Sequence, residues 1–266
     1  MRPTDLFDGP LMAEGYASAR PRLHDRILRR ALSAAQCAPA FGFCLDAGCG
    51  AGLSTAALLP YARLAAGADA LPSMIRRAAA RLRGAQFCVA RMEALPLRDA
   101  CCNLVTAAGS LNYTDVRAAL EETARVLQPG GLLAVYDFAP GRRFREDNSL
   151  EEWFDTFLAR YPKPDDGAVP LDPPALRAAT GGLFEPVADG VFEEAELFHD
   201  ARYADYMMTE TNVAAAVRAG ASPAPIRQWL EETLPAVFRG QTREVLFEAY
   251  FAVFAKPSSS STRSAP

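Results

Sequence analysis

The stretch "LDAGCGAGLST" at 45–55 follows an apolar run and carries glycine at 48, 50 and 52, with Asp46 two residues before the first of them. Glycine reaches positive φ without steric cost and lets other groups come close to the backbone. A strand that enters such a turn and leaves it as a helix offers a ligand free N–H groups and a positive dipole end. It also points to a parallel α/β sheet, where ligands bind outside the carboxyl ends of the strands. The spacing is G-x-G-x-G, and Leu53 stands where a dinucleotide fold would carry its third glycine. An acid at 46 would repel a pyrophosphate. A cationic or zwitterionic ligand suits this turn better than a nicotinamide or flavin.

Hydrophobic period extends the pattern on both sides. Helices are expected over 22–36, 54–61, 72–83 and 116–127, and strands over 41–46, 63–69, 86–90, 103–109 and 132–138. Alternation of this kind predicts a Rossmann-like α/β fold, a doubly wound, mostly parallel seven-stranded sheet. After 138 the text changes to a polar turn, an aromatic helix over 150–161 and a proline-heavy loop over 162–174. A strand over 184–198, helices over 203–219 and 225–238, and a closing strand over 243–255 complete the chain. One domain over 1–256 is expected, with a core over 37–140, a helical cap over 138–220 inserted after strand five, and a disordered tail over 257–266.

Composition narrows the partners. The 266 residues carry a formal net charge of -4, which supplies no positive field for nucleic acid or anionic lipid. No apolar run approaches the roughly 18 residues of a membrane span. The six cysteines form no C-x-x-C pair and have no neighbouring histidine, which argues against zinc and a disulfide framework and for reduced thiols. The first sixteen residues lack a signal pattern, so a cytoplasmic location is expected. Small molecules are the favoured partners, and the sequence leaves the oligomeric state open.

These residues resemble the class I S-adenosylmethionine-dependent methyltransferases, in particular the branch of quinone-biosynthesis and other small-molecule enzymes. The family's acid-x-G-x-G-x-G motif is matched by Asp46, Gly48, Gly50 and Gly52. The resemblance implies that the turn holds the methionine part of S-adenosylmethionine and that the acid meets its ammonium, directly or through water. Asp69 ends the second expected strand, where the family's acid holds the ribose hydroxyls. That position also agrees with the spacing rule for a ribose acid, about twenty residues past the glycines. "EALPLRD" and "TARVLQPGGLLAVYDF" resemble the segments after strands three and four, so the likeness covers about residues 40–140. Arg91 departs from the pattern: the family has an aspartate there for the adenine amino group. "CCN" at 101–103 replaces a Phe-Asp pair.

The resemblance implies further cofactor contacts from Ala70, Met74, Met92, Glu93 and Gly109. Asn112 and Tyr113, just past strand four, are candidates for contact with cofactor or acceptor, although Asn-Tyr is also ordinary turn chemistry. Trp153 and Tyr206 belong to two aromatic stripes that either close over an apolar acceptor or form ordinary core. His199, beside Asp200, and Tyr113 are the candidates for a catalytic base, and no metal ligands are expected. Methyl transfer to an O, N or C nucleophile of a mostly apolar or aromatic small molecule is the leading reading. A non-catalytic binding protein on the same fold and an NAD-linked oxidoreductase are the alternatives.

Overall fold

The computed structural model describes residues 19–37, 40–165 and 167–258, which leaves the N-terminal segment and most of the expected tail outside the described residues. The chain divides into two compact units. A sheet unit holds His24–Asp137, Ala168–Val191 and the chain from Tyr250, and a helical unit holds the chain up to Leu23, Phe138–Gly167 and Phe192–Ala249. The expected cap is therefore divided, with 168–191 grouped with the core segments.

In the sheet unit the elements run α1 (His24–Ala34), β1 (Phe41–Ala47), α2 (Leu53–Leu58), β2 (Ala62–Asp69), α3 (Pro72–Arg81) and β3 (Gln86–Val89). They continue with β4 (Cys102–Ala108), α4 (Val116–Val126), β5 (Leu127–Phe138) and, past the first stretch of the helical unit, α6 (Pro173–Ala179). The strand order β3-β2-β1-β4-β5 reverses direction at β1, and every neighbouring pair among these five is parallel. This is the doubly wound topology, which opens a crevice beyond the carboxyl ends of β1 and β4. Buried Leu45, Val105, Leu120, Val135 and Phe254 belong to one apolar cluster under that crevice.

Local chemistry sets the element ends. α1 turns Ile27, Leu28, Ala31 and Leu32 inward at helical spacing. Asp115 caps α4 by accepting from the Ala118 N–H at 3.1 Å. The helix expected over 54–61 stops at Leu58 and tightens into a 3₁₀ turn at Leu59–Tyr61, where Pro60 cannot donate to an α ladder. β5 starts at Leu127, ahead of the expected 132. Gly130 donates to the Lys256 carbonyl at 2.9 Å and Lys256 donates back to Gly131 at 2.8 Å, so the Pro-Gly-Gly segment is stitched into the sheet rather than left as a turn.

The helical unit contains β6 (Arg143–Phe144), α5 (Ser149–Arg160), α7 (Asp200–Met207), α8 (Thr211–Arg218) and α9 (Pro223–Phe238). β7 (Glu185–Phe198) and β8 (Arg243–Ala255) each contribute residues to both units. The two-residue β6 pairs antiparallel with the first half of β8, Arg143 opposite Leu246, and is a strand beyond the expected seven. The single helix expected over 203–219 is two, broken at 208–210, where Glu210 is buried against Arg20 at 3.1 Å. Among the described residues no helix is long and apolar enough to cross a membrane.

Candidate functional site

The glycine turn sits at the carboxyl end of β1. Gly48, Gly50 and Gly52 have φ of 74°, 50° and 85°, the left-handed region that disfavours side chains. A Cβ at 48 would stand 2.3 Å from the Ser110 Cβ, and one at 52 would stand 3.2 Å from the Ala78 Cβ. A Cβ at 50 would meet nothing within 4 Å. Two of the glycines therefore permit close packing, and the middle one faces open space where a ligand can reach the backbone.

Asp46 is fully buried beneath this turn. Its Oδ2 accepts from the hydroxyls of Ser54 and Thr55, both at 2.6 Å, and its Oδ1 accepts from the Thr106 hydroxyl at 3.0 Å. Burial pushes its carboxyl above the ordinary aspartate range, the three hydroxyls pull it back, and the Asp69 charge raises it further. Ser54, Thr55 and Thr106, which hold this candidate acid, are residues that spacing did not single out. The only sequence signals were the "ST" just after the glycines and a lone threonine inside an apolar strand.

Asp69 ends β2 with both carboxylate oxygens aimed by the backbone. Gly50 N–H donates to Oδ2 at 2.9 Å and Leu71 N–H donates to Oδ1 at 2.9 Å. Each oxygen keeps a lone pair for an incoming hydroxyl. Burial raises this carboxyl too, and the two N–H donors partly offset the rise.

The remaining candidates of the sheet unit fall around these two acids or into its core. Met92 is buried with its methyl 3.7 Å from where a Gly48 Cβ would stand, an apolar surface beside the turn. Gly109, at φ 58°, is held by donation to the Tyr136 carbonyl at 2.9 Å, and a Cβ there would stand 2.8 Å from an Asp137 carboxylate oxygen. Ala70 links β2 to α3, and Met74 is buried on α3. Glu93 accepts from Arg91 at 2.9 Å and from the Asp115 N–H at 3.2 Å. Burial raises its carboxyl, but these donors and its own N–H outweigh that and leave it low. Arg91 makes this pair from a largely exposed position on the loop after β3. The backbone carbonyl of Asn112 accepts from the Val169 N–H at 2.8 Å, and Tyr113 closes a 3₁₀ turn.

Three other candidates lie in the helical unit. His199 caps α7, its Nδ1 accepting from the Arg202 N–H at 3.2 Å. Trp153 and Tyr206 are packed inside an aromatic core, Trp153 stacked on Phe157 and Trp229 and Tyr206 among Phe198, Tyr203 and Phe247. Of the two readings of the stripes, core is the one the packing supports. The cysteines are free thiols, and burial pushes Cys44 up to about 12. Among the described residues no group of three or more His, Cys, Asp or Glu could hold a metal.

The electrostatics give a signed expectation. Asp46 and Asp69 both titrate above the ordinary aspartate range in the folded protein. Their contribution to stability is therefore fully present below the ordinary value and is lost as pH rises through the raised ones. A ligand that needs the ionised carboxylates feels the reverse, so its affinity should fall as pH drops through the raised values. Titration calorimetry over a pH series that falls through the raised values should show this weakening, and a flat profile would exclude the two acids from ligand contact.

The chain has relatives among known proteins. Residues 45–135 match the methyltransferase domain family. A ubiquinone/menaquinone biosynthesis C-methyltransferase from Acidiphilium cryptum is 48% identical over 75 residues, 28% of this chain and 30% of that protein. A malonyl-[acyl-carrier protein] O-methyltransferase from Dechloromonas aromatica is 35% identical over 102 residues, 36% of each chain. The matched stretches thus span about a third of these curated relatives. A candidate type II methyltransferase from Anaeromyxobacter dehalogenans shares the fold with a TM-score of 0.64, 22% identity, and coverage of 89% of this chain and 96% of that one. Residues 45–135 thus match the methyltransferase domain family, and the sheet that carries them has the class I methyltransferase fold.

Proposed function

We propose that the protein is an S-adenosylmethionine-dependent methyltransferase that acts on an O, N or C nucleophile of a mostly apolar or aromatic small molecule. The observation that carries this reading is Asp69, whose two carboxylate oxygens are aimed by Gly50 and Leu71 N–H groups at the edge of an open glycine turn. That donor set fits the cofactor. Asp69 would take the ribose hydroxyls, the turn would admit the methionyl backbone, Met92 would face the adenine, and Asp46 would supply the charge opposite the ammonium. The bound cofactor supplies an electrophilic methyl group on a sulfonium. The chain's task is to hold an acceptor in line with that methyl and to exclude water. A base is required only when the nucleophile carries a proton at working pH.

The acceptor class rests on the relatives that act on quinone precursors and on the charge balance of the chain. Thermal melting should show a concentration-dependent rise with S-adenosylhomocysteine and none with NADH. Transfer of labelled methyl to a quinone precursor or another aromatic acceptor would establish turnover. Binding without transfer to any acceptor tried would leave a cofactor-binding protein, and a response to NADH alone would overturn the reading.

A further inference from the structure

Tyr136 lies near the carboxyl end of β5 with a relative exposure of 1%, and its hydroxyl has no hydrogen-bond partner among the described residues. Buried tyrosine hydroxyls ordinarily find a partner, because an unmet one keeps its desolvation penalty with nothing against it. This one is enclosed and idle.

The register locates it. Asp46 pairs with Thr106 across β1 and β4, and Thr106 pairs with Ala134 across β4 and β5. Side chains alternate along a strand, so residue 136 shares the face of 134, 106 and 46, one pleat nearer the ligand end. The surroundings are acidic. Burial first, then the carboxylates of Asp46, Asp137 and Asp25, hold the phenol's proton on. The His24 ring meets the Tyr136 ring edge-on at 5.8 Å.

A shortage of acceptors gives the hydroxyl a role. An ionised carboxylate offers about four acceptor positions, and an ammonium brings three donors. Three positions on Asp46 are already taken by Ser54, Thr55 and Thr106. An ammonium placed over the glycine turn needs acceptors that Asp46 alone does not have, in a region of negative potential. We propose that Tyr136 is a cofactor-binding residue whose hydroxyl accepts a hydrogen bond from the α-ammonium of the bound cofactor, on the sheet face it shares with Asp46. The proposal rests on the methyltransferase reading above.

Tyr136→Phe removes the hydroxyl and keeps the ring. The test compares two ligands, S-adenosylhomocysteine, which carries the amino-acid end, and 5′-methylthioadenosine, which lacks it. In the variant, affinity for S-adenosylhomocysteine should fall about tenfold or more, the scale of a hydrogen bond to a charged group. Affinity for 5′-methylthioadenosine should stay within about twofold, and the ligand-free melting temperature should hold or rise, because an unmet buried hydroxyl has gone. Equal weakening of both ligands would mark a structural role and overturn the proposal, as would unchanged affinity for both. Loss of the native fold would show that the hydroxyl already has a structural partner and would overturn it too. Failure of the unsubstituted protein to bind S-adenosylhomocysteine would overturn the methyltransferase reading itself, which separates the two failures.

Discussion

Asp69→Ala is expected to lower affinity for S-adenosylmethionine and S-adenosylhomocysteine about 10- to 100-fold, which is a loss of roughly 1.5–3 kcal/mol for hydrogen bonds to a charged group. The geometry makes this a damaging truncation in the proposed cofactor site. The carboxylate accepts from the Gly50 and Leu71 N–H groups at 2.9 Å each, and it presents its remaining lone pairs to the ligand. Alanine deletes the ligand contact and frees both N–H groups at once, so the middle of the glycine turn loses its tether to β2. Asp69→Asn keeps the shape and one acceptor oxygen, and it should fall between the two. Calorimetric titration of the three proteins with S-adenosylhomocysteine reads the series directly. An alanine variant that binds as the unsubstituted protein does would remove Asp69 from the ribose role and with it the main support for the proposed function.

How far this site could be read from the sequence depended on the range of the interactions. Asp46, the three glycines and Asp69 are marked by spacing along one strand-turn-helix unit and the strand after it, because their positions are set by local backbone geometry. The hydroxyl shell of Asp46 was only half legible: Ser54 and Thr55 follow the turn, but Thr106 reaches Asp46 through the β1–β4 register, which no local pattern encodes. Tyr136 was hidden for the same reason. The alternation of helices and strands predicted the parallel sheet, since each element's period is a local property. The errors came where distant partners override local signals. Lys256 draws the Pro-Gly-Gly segment into β5, and Glu210, buried against Arg20, interrupts what reads as one helix over 203–219. α6 was missed because Pro173 and Pro174 read as loop, whereas Asp172 caps the helix and the prolines start it.

Trp153→Ala is expected to destabilise the protein by about 3–5 kcal/mol, the cost of truncating a large buried aromatic, and to lower Tm by roughly 6–20 °C in a chain of this size. At helical spacing an aromatic stripe reads equally well as ligand pocket or as core, and packing separates the two. Trp153 is 7% exposed, stacked on Phe157 at 5.7 Å and on Trp229 at 5.5 Å, and edge-on to Tyr203 at 5.9 Å. Its indole N–H donates to the Thr233 hydroxyl at 2.9 Å, and that hydroxyl donates to the Trp229 carbonyl at 2.8 Å. A ring with neighbours on both faces and its one polar atom satisfied has no surface left to offer an acceptor. Truncation would leave a void between α5 and α9 that the stacked rings, fixed to their helices, can only partly fill. Trp153→Phe retains most of the stacking and loses the hydrogen bond, so its penalty should be well under half as large. Calorimetric melting of both variants tests this, with S-adenosylhomocysteine affinity measured below the lowered transition as the control. A Tm within about 2 °C of the unsubstituted protein in Trp153→Ala would mean that the ring contributes little to the core, and would restore Trp153 as a candidate wall of the acceptor pocket.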